Sequence, residues 1–284
     1  MHIGYSSPSS ITFSVTGTGA SIVNDVAGLT DGLPDQATRF TFVSGTQTTS
    51  SAVKIQGTFS AATPIGGCGI FSTTLPAGTL IKIYGKRPAD SGYTYNLGGN
   101  SQTQRVTTRD CDGKNVCIWQ FADGLDAISA FEITIYNDVN GSASIAASSY
   151  FDIGEIFPAP RFYIDHDASP SDDLQPNAAG RSSKTLQPWP VLYAAGRVDK
   201  VTVSAVPYDL AKGTPASGVN LIQLRAAISQ GQTCMVGIFN NTTALDTHQL
   251  QHDTMLAICT TFNPVLKEAG PNYGTGMTFS EIPG

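Results

Sequence analysis

Hydrophobic residues recur at every second position through much of the first half of the chain. In "ITFSV" Ile11, Phe13 and Val15 share one side, and "VKIQGTF" does the same with Val53, Ile55 and Phe59. "IKIYG" repeats the pattern with Ile81 and Ile83, and "FEITIYNDV" sets Phe131, Ile133 and Ile135 against Glu132, Thr134 and Tyr136. A period of two is what a strand needs when one face enters a core and the other meets water. The runs "LTDGLPD", "TLPAGT", "KRPADSG", "CDGKN" and "NDVNGS" supply turns between these segments. Short strands separated by such turns, with no 3.6-residue period, predict an antiparallel sandwich.

The pattern changes after Pro158 and Pro160, and the Pro-bounded stretch from Ile156 to Phe162 is expected to be a joint. The segment from Asp165 to Lys184 is acidic, then polar and Pro/Gly-containing, which predicts an exposed arm rather than a core element. Alternation returns in "KVTVSAV". One helix is predicted in "SGVNLIQLRAAISQGQ", where Leu221, Leu224, Arg225 and Ile228 recur at helical spacing and Gly231 is placed to end it. "CMVGIF", "TMLAICTTF" and "MTFSEI" complete a smaller unit. The expected fold is therefore mainly β: an N-terminal antiparallel jelly-roll β-sandwich over 1–158, then an α+β domain over 159–284 with a polar arm at 165–184. There is no internal repeat of the length that builds solenoids or propellers.

Composition narrows the partners. Charged residues are 13% of the 284, with a net charge of -6, so the chain has no basic stripe with which to neutralise phosphates, and nucleic acid is not an expected partner. No apolar run approaches the ~18 residues of a membrane helix, and Met1 to Ser10 lacks the basic and apolar regions of a signal peptide, so a soluble, unexported protein is expected. The five cysteines are an odd number and do not form a disulfide framework. Cys117, in phase with Trp119 and Phe121, and Cys234, inside "CMVGIF", read as core thiols. Cys68 lies in "GGCGIF", and Cys111 and Cys117 stand in a C-x5-C spacing that leaves a bridge or a metal site open but lacks the second close pair of a zinc ribbon.

The sharpest catalytic candidate is "DTHQLQH", where His248 and His252 are four apart and a metallohydrolase reading would add Asp246 or Asp253. Zinc proteases with that spacing place a Glu directly after the first His, and here Gln249 stands there. "DHDASPSDD" gathers Asp165, Asp167, Asp172 and Asp173 around His166, but Pro170 and Pro176 occupy the positions where a calcium loop needs Gly and Glu. There is no nucleophile elbow, phosphate loop or dinucleotide fingerprint. Asn140, Asn240 and Asn241 begin N-x-[ST] triplets, which matter only in a secreted eukaryotic protein. No catalytic, cofactor or metal residue is assigned, and a non-enzyme is expected. Tyr93 and Tyr95 in "DSGYTYNLGGNSQ" are the candidates for a sugar-stacking platform.

The order of the phrases "LTDGLPDQATRF", "VKIQGTFSAATPIGGCGIFSTTLPAGTLIKIYGKR" and "FEITIYNDVNGSASIAASSYFDIGEIFPAP" resembles the galactose-binding-like, discoidin-type jelly roll of tailed-bacteriophage virion proteins, over about Ile11 to Pro160. Beyond it, "VDKVTVSAVPYDL", the helix, "GQTCMVGIF" and "LQHDTMLAICTTFNP" are similar to the C-terminal part of the same proteins, except that Ala257 stands where that group has a Gly. The resemblance implies a virion structural protein of a phage tail tip, a distal tail or baseplate ring component assembled in the bacterial cytoplasm. Its partners would be other copies of itself, tail tube and hub proteins. It also implies that the arm at 165–184 reaches a neighbouring subunit, with Trp189 and Tyr193 as interface anchors. The alternatives are a carbohydrate-binding module contacting host surface glycans, or another virion position such as a head-to-tail adaptor or decoration protein.

Overall fold

A computed structural model describes residues 2–5, 10–97, 102–109, 113–121, 125–163, 168–171, 182–183, 191–192, 198–213, 219–228, 231–237, 247–268 and 272–282. The strands of the first half are β1 (His2–Tyr5), β2 (Ile11–Thr16), β3 (Ser21–Ile22), β4 (Thr38–Thr41), β5 (Ala52–Thr63), β6 (Gly67–Thr73) and β7 (Thr79–Lys86). They continue with β8 (Thr103–Arg105), β9 (Thr107–Thr108), β10 (Asn115–Gln120), β11 (Ile128–Val139), β12 (Tyr150–Ala159) and β13 (Arg161–Tyr163). Two antiparallel sheets face one another, a six-stranded one ordered β3-β4-β12-β6-β10-β9 and a five-stranded one ordered β2-β5-β11-β7-β8. This is the expected jelly-roll sandwich.

The alternation foreseen in the sequence is what fills it. Phe13, Val53, Ile55, Phe59, Ile81, Ile83, Phe131, Ile133 and Ile135 enter the core from the five-stranded sheet. Phe40, Cys68, Ile70, Cys117, Trp119, Phe151 and Ile153 meet them from the other. Phe131 packs edge-on to Phe13 and tilted on Phe59, while Phe40 stacks on Phe151. Each such side chain removed from water contributes roughly 1.5–3 kcal/mol. Cys68 and Cys117 are buried free thiols, and burial pushes both well above the ordinary thiol range. They act as small apolar residues. The "NDVNGS" run closes as a two-residue turn, with Asn140 and Gly141 at φ 52 and 91 and Val139 bridged to Ser142. Positive φ at both centres is the reason an Asn-Gly pair suits it.

"LTDGLPD" and "FDIGEIF" meet in space. The Asp31 carboxylate accepts from the Leu33 backbone N–H, shaping the turn, and the Gly32 N–H donates to Glu155 Oε2 at 3.0 Å. Gly154 lets that turn lie directly on β12, since a Cβ there would stand 2.0 Å from the Pro34 carbonyl oxygen. Glu155 is buried, and burial pushes its carboxyl up to about 9.

The second half adds β14 (Ala168–Ser171), β15 (Ser182–Ser183), β16 (Val191–Leu192), β17 (Val198–Val206), the short helix α1 (Tyr208–Ala211), α2 (Leu221–Ile228) and β18 (Thr233–Gly237). After them come α3 (Thr247–Asp253), β19 (Thr254–Phe262), β20 (Leu266–Lys267) and β21 (Tyr273–Glu281). An eight-stranded sheet runs β13-β1-β18-β19-β21-β17-β14, with β20 beside β21. The predicted helix is α2, burying Leu221, Leu224 and Ile228. Ahead of it, Asn220 Oδ1 accepts from the Gln223 N–H while Gln223 Oε1 accepts from the Asn220 N–H, a reciprocal cap.

The residues group into two units, Met1–Tyr5, Phe162–Asn240 and Met255–Pro283 in one, and Ser6–Arg161, Asn241–Thr254 and the terminal Gly284 in the other. The single division expected between 158 and 159 differs from this in three respects. The unit changes at Phe162, because Pro158 and Ala159 still pair with Cys68 and Gly67 inside β12, so the expected joint is strand up to Ala159. Pro158 is tolerated there because β4 pairs with β12 only as far as Ile153. The N-terminal strand β1 pairs with β18 and buries Ile3 in the second core, and α3 joins the sandwich. Of the arm expected at 165–184, Ala168–Ser171 instead pairs antiparallel with Lys200–Val203 as the last strand of its sheet, a position where Pro170 costs no interior ladder bond.

Gln251 of α3 accepts from the Ile118 N–H through Oε1 and donates to the Ile118 carbonyl through Nε2, both at 2.8 Å, sealing β10 beyond the two residues that β9 covers. Gln251→Leu leaves both backbone groups buried and unpaired, and is expected to destabilise the sandwich by about 2–4 kcal/mol. Denaturant titration followed by Trp119 fluorescence, in a Trp189→Phe background, checks it. Glu155 binds a proton more tightly folded than unfolded, so its contribution is fully present below the ordinary Glu range and is lost as pH rises toward about 9. Glu155→Gln should flatten this decline, whose slope approaches about 1.4 kcal/mol per pH unit inside that window. Unfolding midpoints of both proteins between acid and mildly alkaline pH measure the difference.

Candidate functional site

The strand pleat that sends Phe131, Ile133 and Ile135 inward sends Glu132, Thr134 and Tyr136 outward from the centre of the five-stranded sheet. Neighbours are set by register. Glu132 lies opposite Gln56 on one side and Tyr84 on the other, and Thr134 opposite Lys54 and Lys82. Ser14 extends the first row beyond Gln56, and Thr16 and Thr103 extend the second at its two ends. Lys86 follows Tyr84 outward along β7, opposite Ala130. The result is a polar face of hydroxyl, amide, ammonium and phenol groups around one carboxylate.

That carboxylate is the unusual member. Glu132 is 6% exposed although it stands on the outer side of the sheet. Lys54 Nζ donates to its Oε1 at 2.9 Å, Gln56 Nε2 to its Oε2 at 2.7 Å, and the Thr134 hydroxyl to Oε1 at 3.3 Å. A carboxylate offers about four acceptor positions, so Oε2 keeps capacity for another donor. Its geometry is fixed by neighbours on the same rigid sheet, which is how a binding group is held ready without ordering cost.

The two tyrosines singled out in the sequence take different roles. Tyr93 reaches this face: the Lys86 ammonium lies 5.8 Å from its ring centre, and burial, then the charge of Glu132, raises its phenol above the ordinary range. Tyr95 is an anchor. Its backbone bridges Gly85, its hydroxyl accepts from the Asp126 N–H, it packs on the core, and the Arg87 guanidinium covers its ring at 4.6 Å. Arg87 also pairs with Asp90 and Asp126, and its hydrogen bonds hold the Asp90 carboxyl below the usual range. The loop between β7 and β8 is thus pinned through Tyr95 so that Tyr93 overlies the sheet.

Trp189 and Tyr193 lie outside the described residues, as do Asp165, His166, Asp167, Asp172, Asp173 and Cys111. His248 and His252 both fall on α3, the helix whose Gln251 seals β10. Among the described residues no group of three His, Cys, Asp or Glu is placed to hold a metal ion. Glu132, Lys54, Lys82, Tyr84, Lys86 and Tyr136 were not singled out. The available signal was the outward half of the alternation, Lys-Tyr-Lys in "IKIYGK" and Glu-Thr-Tyr in "FEITIYN".

No protein-family model and no curated protein matches the chain. Solved structures similar to it include the CBM32-1 and CBM32-2 domains of ZmpB from Clostridium perfringens, at 15% identity and TM-score 0.33, over 52% of this chain and 34% of that one. CBM32-3 from a family 31 glycoside hydrolase of the same organism matches at 11% identity and TM-score 0.34, over 51% of this chain and 90% of that one. The enzymatically active domain of tailspike protein 4 from bacteriophage CBA120 matches at 16% identity and TM-score 0.29, over 52% of this chain and 19% of that one. These scores are low, so the assignment of function rests on the residues of the face.

Proposed function

We propose that the sandwich is a carbohydrate-binding module that holds sugar on the outer face of its five-stranded sheet. The observation that carries this is Glu132, a carboxylate nearly closed off from water yet set on the open side of a sheet, with acceptor capacity left and Tyr84 and Tyr93 beside it. Sugars present hydroxyl donors in a plane and apolar C–H faces to either side. A fixed carboxylate and amide take the hydroxyls, and tyrosine rings take the C–H faces. The reading assigns no chemical step to the chain.

A second reading, favoured by the order of the resembling phrases, places the whole chain in a phage tail tip as a ring subunit contacting tube and hub proteins. Its ground is that resemblance; the Gly32–Glu155 hydrogen bond that joins "LTDGLPD" to "FDIGEIF" is a feature of the fold. In that setting a glycan-binding sandwich would face the host surface, and the two readings are compatible.

A glycan array probed with the full chain, followed by calorimetry on the best ligand, tests the first reading. Selective binding is expected, and Tyr93→Ala should weaken it about tenfold, the loss of one stacked ring. Glu132→Gln should weaken it further while the thermal midpoint shows the sheet still folded. An array with no selective signal overturns the module. Mass photometry of the same sample bears on the second: rings support it, and a monomer that ignores tail components counts against it.

A further inference from the structure

The outward positions of the five-stranded sheet carry an uneven charge. Lys54, Lys82, Lys86 and Arg105 project there against Glu132 and Asp138, a local excess of cations on a chain whose total is -6. Two of the four are spent internally: Lys54 on Glu132, and Arg105 on Asp138 at 3.1 Å. Lys82 and Lys86 have no ion pair among the described residues. Their ammonium groups lie instead over rings, Lys82 at 5.3 Å from the Tyr136 centre and Lys86 at 5.8 Å from that of Tyr93. The Asp90 carboxylate is held chiefly by Arg87, and Lys86 is the weakest influence on it. An ammonium resting on an aromatic face is kept close to the sheet while its charge stays available.

Lys82, Tyr84 and Lys86 alternate along β7, so the two ammoniums stem from positions ~13 Å apart at ~3.3 Å per residue, with one ring between them. With each ammonium resting on a different ring, an extended chain with repeated negative charges meets both without moving either. The central group, Glu132, is an acceptor and repels anions, so the ligand must also present hydroxyl donors at its middle. Phosphodiester backbones carry acceptors where those donors are needed.

We propose that this face takes an acidic polysaccharide, lying along β7 with anionic substituents on Lys82 and Lys86 and hydroxyls on Glu132. The inference rests on the glycan reading above and adds the ligand class. Uronate and sulfate substituents share the chemistry required.

Calorimetry with the full chain compares polygalacturonate oligomers with the same oligomers methyl-esterified to neutrality, and a sulfated galactan with its unsulfated parent. The acidic form of at least one pair is expected to bind roughly tenfold more tightly, the level of two exposed charge contacts. Raising salt from about 0.1 M to about 1 M, which shortens screening from ~10 Å to ~3 Å, should erase the advantage. Lys82→Gln with Lys86→Gln should bring acidic ligands to the neutral level, with an unchanged melting midpoint, while Lys267→Gln in the other unit has no effect. Equal affinity for acidic and neutral forms overturns this inference and leaves the glycan module standing. Equal affinity for a single-stranded DNA oligomer overturns it as a general polyanion effect. Binding of neither form in either pair, together with a blank array, removes the module itself.

Discussion

Everything in the sandwich depends on the parity of one central strand. β11 lies between β5 and β7, and its pleat decides which of its residues are core and which are surface. With Phe131, Ile133 and Ile135 inward, Glu132, Thr134 and Tyr136 must point outward, and the register then brings Gln56, Lys54, Lys82 and Tyr84 beside them. A slip of one residue would put a carboxylate among phenylalanines and three apolar side chains in water. The hydrophobic requirement that folds the sheet is therefore the same one that positions the candidate site. Core and face are two readings of one alternation.

Three of the polar groups buried in this unit, Gln251, Glu155 and Glu132, differ in electrostatic character. Gln251 is neutral and satisfies both backbone groups of Ile118, so it seals the edge of β10 without a charge to desolvate. Glu155 offers an acid to one backbone N–H, and the solvent it loses outweighs that bond, which is why its proton is held so tightly. Glu132 is nearly enclosed as well, but it is met by a lysine, an amide and a hydroxyl. The first two are joints that bring distant segments of chain to the sandwich. Of the three, only Glu132 stands on the outer face of the five-stranded sheet.

The face is also a compromise between order and exposure. Tyr93 overlies it because Tyr95, two residues on, is tied to Gly85, Asp126 and Arg87. A loop pinned at one aromatic residue presents the other without sacrificing rotamer freedom on binding. The lysines are treated likewise, laid over tyrosine rings rather than left to wander in solvent. Such a surface is suited to a ligand that is itself extended and flexible, because the protein contributes little further ordering.

The sequence alone determined the class of fold, since period-two alternation in "ITFSV", "VKIQGTF", "IKIYG" and "FEITIYNDV" has one physical solution when turn residues punctuate it. It also determined α2, because Leu221, Leu224 and Ile228 recur at helical spacing, and it brought Tyr93 forward as a surface aromatic. It did not reveal that "HIGY" pairs with Thr233–Gly237 or that the segment around Gln251 closes β10, because both depend on unpaired strand edges far away in the chain. Nor did it reveal Glu132: an outward residue in an alternating strand looks like any solvated position until the register names its neighbours. Local patterning obeys short-range sterics and burial and is legible along the chain. The face is made by side chains from β5, β7, β11 and the loop between β7 and β8, and only the pairing of strands distant in sequence brings them together.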